Sequence, residues 1–187
     1  MIVTIIGNGL SRESIPLDKI TSSIKIGCNE IWKEGCVDYL CLGELDQFKD
    51  LLQSDYAGKV YYRYRPMKQS GLEPKENWYS PDFMQTAPSS GHAGIELAAT
   101  LNPTRIDLLG FDCTLDRVYE LSPGSSRLSW SPEENAAGAM RVRDLWISTL
   151  QYAAKSYPIR RIVDEHSTDI PEIPSITVKE YLKELDL

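Results

Sequence analysis

The chain has 187 residues, 42% of them hydrophobic and 25% charged, with 27 acidic against 20 basic side chains and a formal net charge of −7. This length fits one domain with a proper core, and the acidic balance excludes broad binding to duplex nucleic acid while still allowing a small phosphorylated ligand held by a local cluster. No apolar run approaches membrane-spanning length, and the opening IVTII run lacks the basic flank and cleavage site of a secretory leader, so a cytoplasmic protein with no membrane partner is expected.

Residues 2–6 read as a first strand that enters Gly7-Asn8-Gly9-Leu10-Ser11. A strand feeding a Gly/Asn/Ser loop has the shape of a nucleotide-binding turn, although G-x-G lacks the third glycine of a dinucleotide fingerprint. The Asn8 amide can donate and accept, which suits reading a base or ribose; the plainer role is a left-handed turn residue. Residues 11–20, with Pro16, read as a loop with one or two helical turns, and 24–28 as a second strand ending in Asn29. In a parallel sheet Asn8 and Asn29 share one edge, so both amides can face one pocket.

Residues 30–36 suggest a helical turn with Trp32 inward, and 37–42 a third strand followed by Glu44 and Asp46. Those acids suit a metal or a ribose hydroxyl, or simply the solvated start of the helix expected over 48–52. Over Lys59–Met67 tyrosines alternate with arginines, which predicts a strand with one aromatic and one basic face. Arg63, Arg65 and Lys68 are the densest positive cluster in the chain, and read either as an anion site or as charge protecting a sheet edge. Residues 69–87 are rich in Pro, Gly, Ser, Glu and Asn and are expected to form a long surface loop or lid.

The most informative stretch is Pro88–Asp112. Pro88, Ser89, Ser90 and Gly91 make a small-residue turn. A helix follows from His92 to Leu101, stopped by Asn102-Pro103, and then a buried strand from Ile106 to Phe111. A hydroxyl-bearing turn that opens a helix can cradle a phosphate, and Asp112 falls just past the strand's carboxyl end. An ordinary capped helix and a turn acid is the alternative.

Residues 114–132 form a second irregular, lid-like region containing Asp116, Arg117, Tyr119, Arg127 and Trp130. Ser131-Pro132-Glu133-Glu134 is a good helix start, and that helix is expected to run to about Ser156. Residues 159–163 read as a further strand leading to Asp164-Glu165-His166-Ser167, then a prolyl loop and a final helix over 178–185. The four cysteines, Cys28, Cys36, Cys41 and Cys113, show no CxxC pairing and are expected to be free thiols rather than metal ligands or disulfides. Five or six short strands alternating with helices specify an α/β domain with a mainly parallel sheet.

The segments IIGNGLS at 5–11, IGCNEIW at 26–32, PSSGHAGIELAATLNPTRIDLLGFD at 88–112 and DLWISTLQYAAKSYPIRRIVD at 144–164 resemble bacterial sialyltransferases of the small Rossmann-like type. They also resemble the related family that includes the archaeal-type hydroxymethylpterin diphosphokinases. The resemblance implies a single Rossmann-like domain over 1–187. It implies that Asn8, Asn29, Ser89, Ser90 and Gly91 hold the nucleotide of a nucleotide-sugar, and the turn after the first strand adds Gly7 and Gly9 to the expected nucleotide site. In the sialyltransferases tyrosines assist departure of the phosphate after the strand that ends in the acid, where Tyr119 is the only tyrosine here; their histidine base has no counterpart within 136–143.

The leading expectation is a nucleotide-dependent transferase, a sialyltransferase-like glycosyltransferase in which Asp112, Tyr119 and His92 are the candidate catalytic residues and closure rests on the loop after Asp112. Asp112 or Asp116 can also serve as a base or metal ligand, and His166 stands at the end of the last strand. The alternatives are a diphosphotransferase acting on a small heterocycle, which would need Mg2+, a nucleotide-binding protein without turnover, and a scaffold that keeps only the fold. No metal is required by the leading reading.

Overall fold

The structure, a computed structural model, describes residues 1–21, 23–35, 37–43, 45–114 and 132–187. Its centre is one sheet of eight strands: β1 (Ile2–Ile6), β2 (Ser23–Cys28), β3 (Tyr39–Leu42), β4 (Lys59–Tyr62), β5 (Trp78–Tyr79), β6 (Arg105–Leu109), β7 (Ile159–Val163) and β8 (Ser175–Thr177). The order is β5-β4-β3-β2-β1-β6-β7-β8 and every pairing is parallel. This is an α/β Rossmann-like arrangement. The chain builds outward from β1 on one side as far as β5, then returns to β6 on β1's other flank. The switch point therefore lies between β1 and β6, where open α/β sheets hold their ligands beyond the strand carboxyl ends.

The strands are mostly apolar on both faces because helices cover both. Val3, Ile5, Ile26, Cys28, Cys41, Ile106 and Leu108 face a core shared with α4 (Ser90–Thr100) and α5 (Pro132–Ala154). Ile6, Leu40, Leu42, Val60, Leu109 and Ile162 face the opposite core, with Phe48 and Leu51 of α1 (Leu45–Gln53), Met67 of α2 (Tyr64–Ser70) and Tyr181 of α6 (Val178–Glu184). Helix α6 opens on a capping box: Thr177 accepts from the Glu180 amide while Glu180 accepts from the Thr177 amide.

Three expectations need correction. The strand expected over 59–67 ends at Tyr62, and Tyr64–Ser70 is helical. Pro66 sits in the first helical turn, where its missing N–H is not needed, and Gly71 ends the helix at φ 68°. The strand count is eight, against five or six expected. The added strands include the two-residue β5 and the three-residue β8, too short to show an apolar period. Residues 69–87, read as a surface loop or lid, carry β5 and α3 (Asp82–Thr86), with Trp78 and Met84 buried. Of the second lid-like region, 115–131 lie outside the described residues.

Among the described residues no helix is long and apolar enough to cross a membrane. Cys28, Cys41 and Cys113 are buried free thiols, and burial pushes Cys28 up to about 12 and Cys113 up to about 11.

Candidate functional site

Parallel strands place every carboxyl end on one edge. The edge carries the Gly7–Ser11 loop after β1, Asn29 after β2, Gly43 after β3, Arg63 after β4 and Gly110-Phe111-Asp112 after β6. Helix α4 runs back against the strands and brings its amino end to the same edge. Ser89 is its N-cap and accepts from the His92 amide, while the Ser90 and Gly91 amides that precede it have no earlier turn to bond to.

At this helix end Arg63 and Ser90 both approach Gly43. A side chain at Gly43 would lie 3.1 Å from the Ser90 Oγ and 3.8 Å from the Arg63 Nε, so the glycine keeps the two polar groups close to the backbone of β3. The Arg63 guanidinium also donates to the Ala87 carbonyl, which steers it toward the start of α4. A fixed cation beside helix amino-terminal amides and a hydroxyl attracts an anion, phosphate above all.

His92 is 5% exposed and fully engaged. Its Nδ1 is hydrogen-bonded to the Ser89 Oγ at 2.7 Å and its Nε2 to the Thr149 Oγ1 at 2.9 Å, while its ring stacks on Trp146. Burial, with a smaller contribution from the Arg63 charge, pushes its pKa down to about 4. The ring is clamped between α4 and α5, with a hydroxyl against each nitrogen.

Asp112 is 2% exposed, and its Oδ2 accepts from the Ser11 amide at 3.1 Å. The carboxylate thus ties the loop after β6 to the loop after β1. The two loops also bond directly, Gly7 N–H to the Leu109 carbonyl at 2.8 Å and Gly9 N–H to the Gly110 carbonyl at 2.9 Å. A Cβ at Gly7 would sit 2.7 Å from the Gly110 oxygen, and one at Gly9 2.7 Å from the Asp112 carboxylate. Gly91 is closed in the same way by the Trp146 ring, at 2.6 Å. The small residues at these three positions are required by the chain's own packing.

Asn29 adopts the left-handed conformation, φ 59°, and its amide donates to the Cys41 carbonyl. Asn8 stands half-buried with its Oδ1 lacking a hydrogen-bond partner among the described residues, as do the buried Ser11 and Thr114 hydroxyls. Such atoms are costly to leave bare and mark places where a ligand or water can bond. Thus Asn8, Asn29, Ser89, Ser90 and Gly91 come to one edge with Gly7, Gly9, His92 and Asp112. Arg65 is exposed on the first turn of α2 and Lys68 on its last, and His166 is exposed beyond β7. Tyr119, Asp116 and Glu44, and the side chain of Asp46, lie outside the described residues.

One residue at this edge was missed by sequence reasoning. Arg161, in the middle of β7 and 2% exposed, donates to the carbonyls of Thr168 (2.7 Å), Phe111 (2.8 Å) and Asp112 (3.3 Å). The signal was an arginine pair inside the apolar run IRRIV, where strand alternation sends one of the two inward. Among the described residues there is no cluster of three or more His, Cys, Asp or Glu able to hold a metal. No protein-family model, curated protein or solved structure gives a significant match to this chain.

Proposed function

We propose that the chain is a nucleotide-dependent transferase, of the sialyltransferase-like glycosyltransferase class, with its nucleotide on the carboxyl edge between the β1 loop and the start of α4. The observation that carries this reading is the approach of both Arg63 and Ser90 to Gly43 at the amino end of α4. That arrangement supplies positive charge, a hydroxyl and helix amides to one phosphate. Asn8, whose buried Oδ1 lacks a hydrogen-bond partner among the described residues, adds a polar group at the same edge.

In this reading catalysis rests on positioning and on stabilising the departing phosphate, with Arg63 as the main electrostatic group. His92 is assigned to holding α4 against α5, since both of its nitrogens are engaged. The same engagement favours a second reading, nucleotide binding without turnover.

The test is a thermal-shift screen of the wild type with CMP, UMP, GMP, AMP and their diphosphates, with and without Mg2+. A ligand that binds only the folded state must raise the midpoint. One nucleotide should do so, and Arg63→Gln, Ser90→Ala and Asn8→Ala should each reduce the shift measured from that variant's own ligand-free midpoint. No shift with any nucleotide, or a shift indifferent to Arg63→Gln, would sink the site. Incubation with the matching nucleotide-sugar then separates transfer from binding alone.

A further inference from the structure

A cleft of about 500 Å3 opens on the other side of the first turns of α4, between α3, α4 and α5. Its size is that of a small-molecule site. Phe83, Tyr152 and Tyr157 supply aromatic walls, and Thr149 and His92 lie among its lining. Among the described lining residues Glu96 is the single side chain of fixed charge, and it is exposed; none is Lys or Arg. His92 adds no charge near neutral pH, because burial pushes its pKa down to about 4. Tyr152 is 74% exposed, the most solvent-open of the large hydrophobic residues among those described, and it stands at this cleft.

Aromatic faces carry negative quadrupoles, so they attract cations and stack on flat rings. A cleft that holds a carboxylate and three such rings, with no Lys or Arg side chain among its described lining, favours a positive charge over a negative one. The cleft is therefore opposite in character to the Arg63 edge, although α4 contributes to both. We propose that this cleft is a binding site for a small aromatic amine, a flat ring carrying one protonated amino group. The ring lies against Tyr152 and its neighbours, and the ammonium faces Glu96. The proposal is independent of the nucleotide reading, and its test contains no nucleotide.

The test is a two-dimensional amide NMR titration of the full chain with phenethylamine. Two control ligands replace the ammonium: 2-phenylethanol with a hydroxyl and 3-phenylpropionate with a carboxylate. Phenethylamine should give saturable shifts centred on Glu96, Thr149, Tyr152 and Tyr157, with the alcohol about threefold weaker and the carboxylate not binding. Glu96→Gln should bring the amine down to the affinity of the alcohol, and Tyr152→Ala should weaken amine and alcohol alike, about threefold. Both positions are exposed, so both variants fold. Absent or non-saturating shifts, shifts centred elsewhere, carboxylate binding equal to the amine's, or an amine-to-alcohol ratio unchanged in Glu96→Gln would each overturn the proposal.

Discussion

The His92 ring is stacked on Trp146 with centroids 3.8 Å apart, and hydroxyls from α4 and α5 cap its two nitrogens. Protonation breaks this arrangement, because one of the two hydroxyls must then stop donating and the buried ring must carry charge. The folded pKa, about 4, lies below the ordinary value of 6.5. Between those two values the unfolded chain binds the proton and the folded chain does not, so stability falls as pH drops through this window and levels below it. The contribution is on the order of 3 kcal/mol at its upper bound. Urea denaturation at pH 7 and pH 5 should show the loss, and His92→Gln should remove most of that pH dependence. An unchanged slope in the variant would refute the assignment.

Gly91 tests whether the helix start is shaped by packing. An alanine there would put its Cβ 2.6 Å from the Trp146 Cη2 and 3.1 Å from the Phe111 Cε1, so a ring must shift. Overpacking of this kind costs about 1–3 kcal/mol. Combining Gly91→Ala with Trp146→Leu should recover part of that cost, since the clash partner is gone. A double-mutant cycle in urea with zero coupling energy would show that the ring does not limit this position.

Far from this edge, Asp107 is 1% exposed and accepts from Arg160 Nε at 2.9 Å and Arg160 Nη2 at 3.0 Å, and from Arg105 Nη2 at 3.1 Å. Arg160 also donates to Glu184 at 2.7 and 2.9 Å, and hydrogen bonding to Glu184 holds the guanidinium above its ordinary range. The two acids are unequal because Glu184 is exposed to 44% in its side chain. Asp107→Ala leaves two guanidiniums without their buried partner and should cost about 3 kcal/mol. Glu184→Gln should cost less than about 1 kcal/mol, and that small cost should shrink further in high salt. Equal costs for the two would contradict a burial-controlled network.

Much of this architecture is legible in the sequence, for local reasons. The strands at 2–6 and 159–163 are short apolar runs, and the start of α4 is announced by the small polar residues at 88–91. The alternation in Tyr61-Tyr62-Arg63-Tyr64-Arg65 misleads because it spans a boundary: the strand ends at Tyr62 and a helix begins two residues later. The better signal was Pro66 followed by Gly71, the pair that frames a helix. For the candidate site, sequence could bring Asn8, Asn29, Ser90 and Asp112 to one edge through parallel pairing alone. It could not show that His92 is engaged at both nitrogens, or that Gly9 is closed by Asp112, because those contacts join residues 57 and 103 positions apart by side-chain geometry that no spacing rule encodes.

Arg161 gives the last prediction, which concerns the rigidity of the candidate edge. Its guanidinium holds the Phe111 and Asp112 carbonyls on one side and the Thr168 carbonyl on the other, and the Thr168 amide donates to the Asp112 carbonyl. Arg161→Met removes the donors and leaves the Phe111 and Thr168 carbonyls without them, at a cost of about 3 kcal/mol. Arg161→Lys restores the charge but not the planar fork, so it should recover only part of that loss. The loss should also be local: hydrogen exchange should quicken at the Gly9 and Thr168 amides, which bond to Gly110 and Asp112, more than at the Ile5 amide in the middle of β1. If all three amides speed up equally, Arg161 supports the whole sheet; if only the first two do, it is the residue that fixes Asp112 against Ser11 and keeps the β1 and β6 loops in register.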